Sequence, residues 1–263
     1  MITTAAHPEP QALLDDLLLM EHEDPGSRKD GMSTNSYALL GGGDDAEGEA
    51  LFVDAAFDYL LPSIRDVAER GYRPAGMVLT HRHVLAGNDG MLDDLQAEFG
   101  DVTVLLHPVD AAYSVAADPH AVDHPLENIE PLKAAPGVGF IDPVGDPEGR
   151  ALLARFGVEA LHFPGHTGGS VAIYRQRDGL LLPGDAAMGT TVRQAALGLE
   201  EVVRPWPFMS VDDARLREGW LGFERPVSNL APYHGRASYL GRDAEEMREI
   251  MRHLTREEPT GAA

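Results

Sequence analysis

The chain has 263 residues, 43% of them hydrophobic, which is enough for a substantial core in one large α/β or sandwich domain. Its formal net charge is −22 and its basic residues are scattered, so nucleic acid is not an expected partner, because a negative protein repels phosphate. It contains no cysteine, which excludes disulfides, thiolate metal ligands and thiol nucleophiles. Any metal ion must therefore be bound by His, Asp or Glu.

We expect neither a signal peptide nor a membrane span. The leucine-rich stretch 13–19 is interrupted by two aspartates, no basic segment precedes it, and no run of about 18 apolar residues occurs anywhere. The prediction is a cytoplasmic protein with no membrane partner.

The hydrophobic pattern predicts the elements of the first half of the chain. Residues 1–33 are interpreted as a polar N-terminal extension with one amphipathic helix near 9–21. Apolar runs 36–40 and 50–53, separated by the polar stretch GGGDDAEGE, predict a β-hairpin. Further on, the pattern predicts helices over 60–70, 88–99 (with Asn88 as the cap) and 109–117, and strands over 77–79 and 102–106. Residues 118–150 are rich in Pro, Gly and acids and are predicted to be mostly loop.

The second half returns to strands and closes with helices. The predicted strands are 158–163, 170–175, 179–183 and a short one at Leu230, and the predicted helices are 211–223 and 242–255. With no internal repeat and no low-complexity linker, we expect a single domain over 1–263, with its core at about 34–240 and a C-terminal helix within 241–263. The order of elements favours an α/β fold of four layers, with two mixed β-sheets inside and helices outside.

Four short polar stretches follow predicted strands at Gly- or Pro-bearing turns, where sites are commonly built. They are THRH with His81 and His83, PGHTGGS with His166, LLPGDA with Asp185, and APYHG with His234. Imidazole is a good ligand for zinc and iron, and a carboxylate adds negative charge. Because His81 and His83 are two residues apart, they can share an ion only on a turning loop. Taken alone, the H-x-H pair is equally compatible with two surface histidines.

Together, the four stretches resemble the metallo-β-lactamase superfamily over about residues 34–240. The resemblance includes the order and spacing: His166 follows His83 by 83 residues, Asp185 follows His166 by 19, and His234 follows Asp185 by 49. The segment Val53-Asp54-Ala55-Ala56 is similar to the family's V-D-x-G strand end, with Ala56 in place of the glycine. The fold this resemblance implies is an αββα sandwich with the site along one edge.

The resemblance also implies roles for the residues. The first metal site would comprise His81, His83 and His166, with Asp185 as a ligand able to bridge to a second ion. The family pattern is H-x-H-x-D-H, but Leu85 and Ala86 stand where the Asp and His of the second site belong. His234 would be the remnant of that second site.

Other residues are candidates for supporting roles. Asp89 or Asn88 is a candidate substitute ligand for the second ion, although a solvated helix-start acid or N-cap is the favoured interpretation. Asp54, Thr80 and Thr167 are candidates to orient the ligating imidazoles, although local turn or cap hydrogen bonds explain them equally well.

The leading functional hypothesis is a hydrolase of a small-molecule ester, thioester, lactone or related substrate. It would use one transition metal ion, zinc first and iron or manganese as alternatives, with Asp185 and His234 as catalytic groups. A second hypothesis is a mononuclear iron oxygenase similar to the superfamily's persulfide dioxygenases, with His81, His166 and Asp185 as ligands. A third is a non-catalytic metal-binding member of the fold. A homodimer is a further expectation, because the aromatic segment RPWPFM (204–209) can form a subunit contact as well as line a pocket or pack as the core of a lid.

Overall fold

The computed structural model describes residues 7–22, 32–42, 45–87, 90–113, 139–237 and 239–257. Eleven strands and seven α-helices are present in these ranges. The strands are β1 (Gln11–Leu14), β2 (Leu17–His22), β3 (Thr34–Leu40), β4 (Glu49–Val53), β5 (Arg73–Val78), β6 (Thr103–Leu105), β7 (Phe140–Ile141), β8 (Glu159–His162), β9 (Val171–Arg175), β10 (Leu180–Leu182) and β11 (Asn229–Leu230). The helices are α1 (Leu61–Glu69), α2 (Met91–Phe99), α3 (Pro108–Tyr113), α4 (Pro147–Arg155), α5 (Val192–Ala196), α6 (Asp213–Leu221) and α7 (Ala244–Met251).

The strands form two mixed sheets. In the larger sheet, β1 to β7 lie side by side in chain order. The pairs from β1 to β4 are antiparallel and the pairs from β4 to β7 are parallel. The smaller sheet has the order β11-β10-β9-β8, with only β10 and β11 parallel. The α/β fold with two mixed sheets is thus confirmed.

Alternation of side chains along each strand produces the layers. In β4, Leu51 and Val53 face one way, into a cluster shared with Ile173 and Leu182 of the smaller sheet. Ala50 and Phe52 face the other way, toward the helices α1 and α2. The outer face of the smaller sheet packs against α6 and α7. Because a strand side chain alternates between faces, one sheet serves two cores, and the order helix, sheet, sheet, helix follows.

The predicted helix near 9–21 is wrong: this segment forms the hairpin β1–β2, with Asp15 and Asp16 as its two-residue turn. Leu18 and Met20 are buried on the helix side of the larger sheet, and Leu17 and Leu19 on the inter-sheet side. A strand covered on both faces has a continuous apolar run without a period of two, and such a run is easily taken for a helix. These residues therefore belong to the core and not to a polar extension.

The stretch 118–150, predicted to be mostly loop, contains the two-residue strand β7 and the start of α4. Asp146 caps α4 by accepting a hydrogen bond from the Glu148 N–H, and Pro147 occupies the first turn, so a local start signal for this helix was present in the sequence. Residues 114–138, and with them most of the predicted loop, lie outside the described residues.

Two smaller points complete the fold. Helix α5, at Val192–Ala196, was not predicted. In the part of the chain that the structure describes, no helix is long and apolar enough to cross a bilayer.

Candidate metal centre

The predicted site residues converge at one edge of the two sheets. Asp54 follows β4, and Thr80 and His81 follow the adjacent parallel strand β5, so both lie at the carboxyl ends of their strands. Three more come from the smaller sheet: His166 follows β8, Asp185 follows β10 and His234 follows β11. His81 and His234, which are 153 positions apart in the chain, therefore lie at one site because of the strand order.

Three imidazoles form the centre. His81, His83 and His166 each offer a nitrogen within 4.8 Å of the others, and no other group of three or more potential His, Asp or Glu ligands is found among the described residues. His83 Nδ1 and His166 Nε2 are 2.9 Å apart. His81 and His166 are almost completely buried, at 1% and 2% exposure. Two ring nitrogens at this distance repel each other unless a proton or a cation lies between them.

A carboxylate lies against this cluster. Asp185 Oδ2 is 3.5 Å from His81 Nε2 and 3.5 Å from His166 Nε2. Two ligands each about 2.0–2.1 Å from zinc in a tetrahedral shell are about 3.4 Å apart, so these spacings match a shared ion. His81 Nε2 is buried and has no hydrogen-bond partner, which a bound cation would explain. The residues present thus fit a transition metal ion.

Burial keeps the ligands in the form that binds metal. It lowers the pKa of His81 and of His166 well below the usual value, and the neighbouring imidazoles and Arg82 lower it further. A neutral imidazole has a free lone pair, whereas an imidazolium does not. The site therefore presents neutral ligands without needing to release protons at neutral pH.

Asp54 and Thr80 fix which nitrogen of His81 faces the cluster. Asp54 accepts hydrogen bonds from the Thr80 N–H and the Thr80 hydroxyl, both at 2.7 Å. Because that hydroxyl has only one hydrogen, its oxygen can only accept from His81 Nδ1, 3.0 Å away. Nδ1 then carries the proton, and Nε2 presents its lone pair to the other ligands. Burial raises the pKa of Asp54 to about 7, while the two Thr80 hydrogen bonds oppose the rise and the Asp185 charge adds to it.

Gly184 allows the Thr80 side chain to pack directly against the turn that carries Asp185. Its φ is +56°, a left-handed conformation that favours glycine, and a Cβ at this position would collide with Thr80 Oγ1. The GD pair is therefore needed as a unit: Gly184 makes room for Thr80, and Asp185 faces the imidazoles.

Replacing Thr80 by valine is expected to lower metal affinity about 10- to 100-fold, because the His81 imidazole loses the acceptor that fixes its tautomer. Thr80→Ser keeps the hydroxyl and is the matched control. Competition with a chromophoric chelator measures both affinities. Equal affinities for the two variants would show that the Asp54–Thr80–His81 chain does not support the site.

Not every predicted role has the predicted contact. The Thr167 hydroxyl contacts Asp110 and Ser170, at 2.6 and 2.7 Å, and not an imidazole. His234 Nε2 is 3.6 Å from Asp185 Oδ2, but His234 is not part of the three-histidine group. Asp89 and Asn88 lie outside the described residues.

The position of Leu85 bears on the second ion. Leu85 is 2% exposed and belongs to the apolar cluster on the helix side of the larger sheet, which also contains Val84, Met91 and Tyr233. The Tyr233 ring contacts the rings of His81 and His234, with centroids 5.4 and 4.5 Å apart. Leu85 therefore packs in the same apolar cluster as Tyr233, which lies against two of the site histidines.

Two contributors to the site were missed in the sequence. The Tyr233 ring packs against the His81 ring, and Asp110 accepts hydrogen bonds from the two loops that carry the histidines. Neither stands in a recognisable motif: Asp110 lies in an ordinary helix start, and Tyr233 simply precedes His234.

The comparisons with known proteins agree on the fold. No known family model and no curated protein sequence matches the chain. Among solved structures, the DIM-1 metallo-β-lactamase exposed to ceftazidime is similar at a TM-score of 0.58 and 15% identity, covering 95% of this chain and 97% of that one. The hydrolase AbOPH of the β-lactamase superfamily has a TM-score of 0.55 and 15% identity, over 92% and 96% of the two chains.

A third solved structure contains metal. TTHA1623 in a di-iron-bound form is similar at a TM-score of 0.52 and 18% identity, covering 89% of this chain and 94% of that chain. The chain therefore has the metallo-β-lactamase fold, and its histidine cluster lies at an edge of that fold. This fold accommodates metal ions, and the cluster is a candidate metal site.

Proposed function

We propose that the protein is a metal-dependent hydrolase of a small ester, thioester, lactone or related substrate, with a single transition metal ion. The observation that carries the proposal is the convergence of three imidazoles, two of them buried and neutral, with Asp185 and His234 beside them. His81, His83 and His166 would hold the ion, zinc in the first place, with iron and manganese as alternatives. A bound zinc ion would acidify water and polarise the substrate carbonyl.

The protein's own groups can perform the proton transfers. Asp185 Oδ2 faces the imidazoles and accepts the proton of the attacking water. His234 Nε2, 3.6 Å from that oxygen, donates a hydrogen bond to the carbonyl oxygen as it becomes an oxyanion. Asp185 then returns the proton to the leaving group. If Asp185 instead binds the ion as a fourth ligand, its negative charge still lies next to the reacting carbonyl.

The surroundings of Leu85 support one ion instead of two. Asp185 and His234 alone provide two ligands for a second ion, which is too few for a firm site. The pattern's Asp position is filled by Leu85, whose side chain is buried among apolar neighbours. The similar fold of a di-iron protein shows that the architecture itself does not forbid two ions.

The substrate is proposed to carry an apolar group. Nine large hydrophobic side chains are substantially exposed in the described chain, and six of them lie between 192 and 211. This segment starts shortly after Asp185 and returns to the centre, where the Val211 N–H donates to the His166 carbonyl oxygen. The net charge of −22 argues against a polyanionic substrate. A homodimer that buries this apolar segment is a further prediction.

An iron oxygenase is the second candidate. The equal 3.5 Å spacing of Asp185 Oδ2 from His81 Nε2 and His166 Nε2 also suits two histidines and one carboxylate on one face of an iron ion. Iron in the purified protein, with oxygen consumption on a thiol persulfide, would favour this candidate over the hydrolase.

Protein purified without added metal is expected to contain one equivalent of a transition metal by elemental analysis. It should hydrolyse aryl and medium-chain acyl esters, thioesters or lactones better than acetyl ones, lose this activity with a chelator and regain it with one equivalent of zinc. Asp185→Asn should keep the metal and lower kcat about 100-fold or more. Two metal equivalents would contradict the single-ion site, and hydrolysis that survives complete metal removal would contradict the function.

A further inference from the structure

Asp110, in the first turn of α3, joins the two loops that carry the histidines. It is fully buried, at 0% exposure. Its Oδ2 accepts a hydrogen bond from the Arg82 N–H at 2.9 Å and one from the Thr167 hydroxyl at 2.6 Å, and its Oδ1 accepts one from the Gly169 N–H at 2.8 Å. The Arg82 guanidinium lies 3.6 Å from Oδ1.

Each of these partners is next to a proposed ligand. Arg82 stands between His81 and His83, and Thr167 follows His166 directly. One carboxylate therefore fixes the backbone of the first loop and both the backbone and a side chain of the second. The contact held in this way is the one between His83 Nδ1 and His166 Nε2, 2.9 Å across the two loops.

The three groups that donate hydrogen bonds to Asp110 require acceptor oxygens at this position. Two of the three are backbone N–H groups, which can only donate, so the residue at position 110 must supply acceptors. The Thr167 hydroxyl donates its single hydrogen to Asp110, so the Ser170 hydroxyl donates to Thr167 Oγ1. Gly169 is packed so closely that an added Cβ would lie 2.6 Å from Asp110 Cγ, which excludes the longer glutamate without a shift of the loop.

We propose that Asp110 is a positioning residue: it holds the THRH and PGHTGGS loops in the register that brings His81, His83 and His166 to a common point. This inference rests on the proposed function for its effect on metal binding, but the link between the loops does not depend on an ion.

The first arm of the test uses metal-free protein. Asp110→Asn has nearly the same shape but only one acceptor oxygen, so at least one of the three hydrogen bonds that join the loops is lost. Hydrogen–deuterium exchange of peptides covering 80–84 and 166–170 is expected to become at least tenfold faster. The control is Asp178→Asn, which weakens the two hydrogen bonds from the buried Arg175 in the β9–β10 turn, at the end of β10 opposite Asp185. It should leave exchange in both peptides unchanged.

The second arm uses Co²⁺ alone, with affinity from chelator competition and geometry from its visible spectrum. Asp110→Asn is expected to bind Co²⁺ about 10- to 100-fold more weakly and with an altered spectrum, whereas Asp178→Asn lowers the melting temperature and leaves both unchanged. Unchanged exchange in Asp110→Asn overturns the proposal, and so does faster exchange with wild-type Co²⁺ affinity and spectrum. If the wild type binds no Co²⁺, the proposed function fails, and the exchange arm alone decides whether Asp110 holds the two loops.

Discussion

Metal affinity is expected to fall more than 100-fold when His166 is replaced by alanine. A structural zinc site with four ligands contributes about 10–16 kcal/mol of binding free energy, or about 3 kcal/mol per ligand. His166 is one of the three grouped imidazoles, and its Nε2 is 2.9 Å from His83 Nδ1. Its loss leaves only the imidazoles of His81 and His83, which are too few to hold an ion firmly.

His234→Ala is the informative partner of that variant. His234 is 3.6 Å from Asp185 Oδ2 but lies outside the three-histidine group, so the variant should retain metal with an affinity within about threefold of the wild type. Turnover should still fall about 100- to 1000-fold, because the donor to the developing oxyanion is lost. The result expected for the pair is therefore metal loss in one variant and catalytic loss in the other.

A buried histidine distant in sequence provides the control. His253, near the C-terminal end of the described chain, is 6% exposed. Its Nε2 lies 2.9 Å from the Glu201 carboxylate. His253→Ala should lower stability and leave metal content unchanged. Metal loss in His234→Ala would show that the ligand set is assigned incorrectly, whereas metal retention in His166→Ala would place the ion elsewhere.

Leu85→Asp is expected to destabilise the protein by about 4 kcal/mol or more without creating a second metal site. Removing a buried leucine costs about 2–5 kcal/mol, and a carboxylate among apolar side chains adds a desolvation cost. Leu85 is 2% exposed within the cluster that includes Val84 and Met91, so its replacement would face apolar neighbours instead of an ion. A loss of this size is a large part of the usual 5–15 kcal/mol stability of a domain.

Urea unfolding of metal-free protein and metal titration of the folded variant measure the two parts of this expectation. Leu85→Met conserves volume and should cost less than about 1.5 kcal/mol, which isolates the effect of the charge. If Leu85→Asp instead unfolds at the same urea concentration as Leu85→Met and takes up a second equivalent of metal, then its carboxylate reaches the centre and the single-ion interpretation is wrong.

Much of the fold could be predicted because it is encoded locally. The hairpin of β3 and β4, helix α1 and strands β8 to β10 all follow from apolar periods bounded by polar turns. The prediction failed at the hairpin of β1 and β2, because β2 is buried on both faces and so lacks the alternation that identifies a strand. It also failed at α4, a helix with weak apolar periodicity in a segment whose Pro and acidic content suggested loop.

The sequence by itself determined which residues are available for chemistry. The absence of cysteine, the two histidines of THRH and the spacing to His166, Asp185 and His234 restricted the candidates to a metal site of imidazole and carboxylate. The departure at Leu85 and Ala86 was equally visible, because a missing ligand type is a property of the sequence alone.

Only the tertiary structure decided how these residues are held. Thr80 orients His81 so that its Nε2 faces the cluster, and Gly184 makes room for the Thr80 side chain. Asp110 binds both histidine loops. These arrangements depend on contacts between strands and helices that are distant in the chain. The apolar cluster in which Leu85 is buried likewise forms only in the folded chain. Hydrogen bonds and packing act over a few ångströms of space whatever the separation in sequence, and so no local pattern could have revealed these partners.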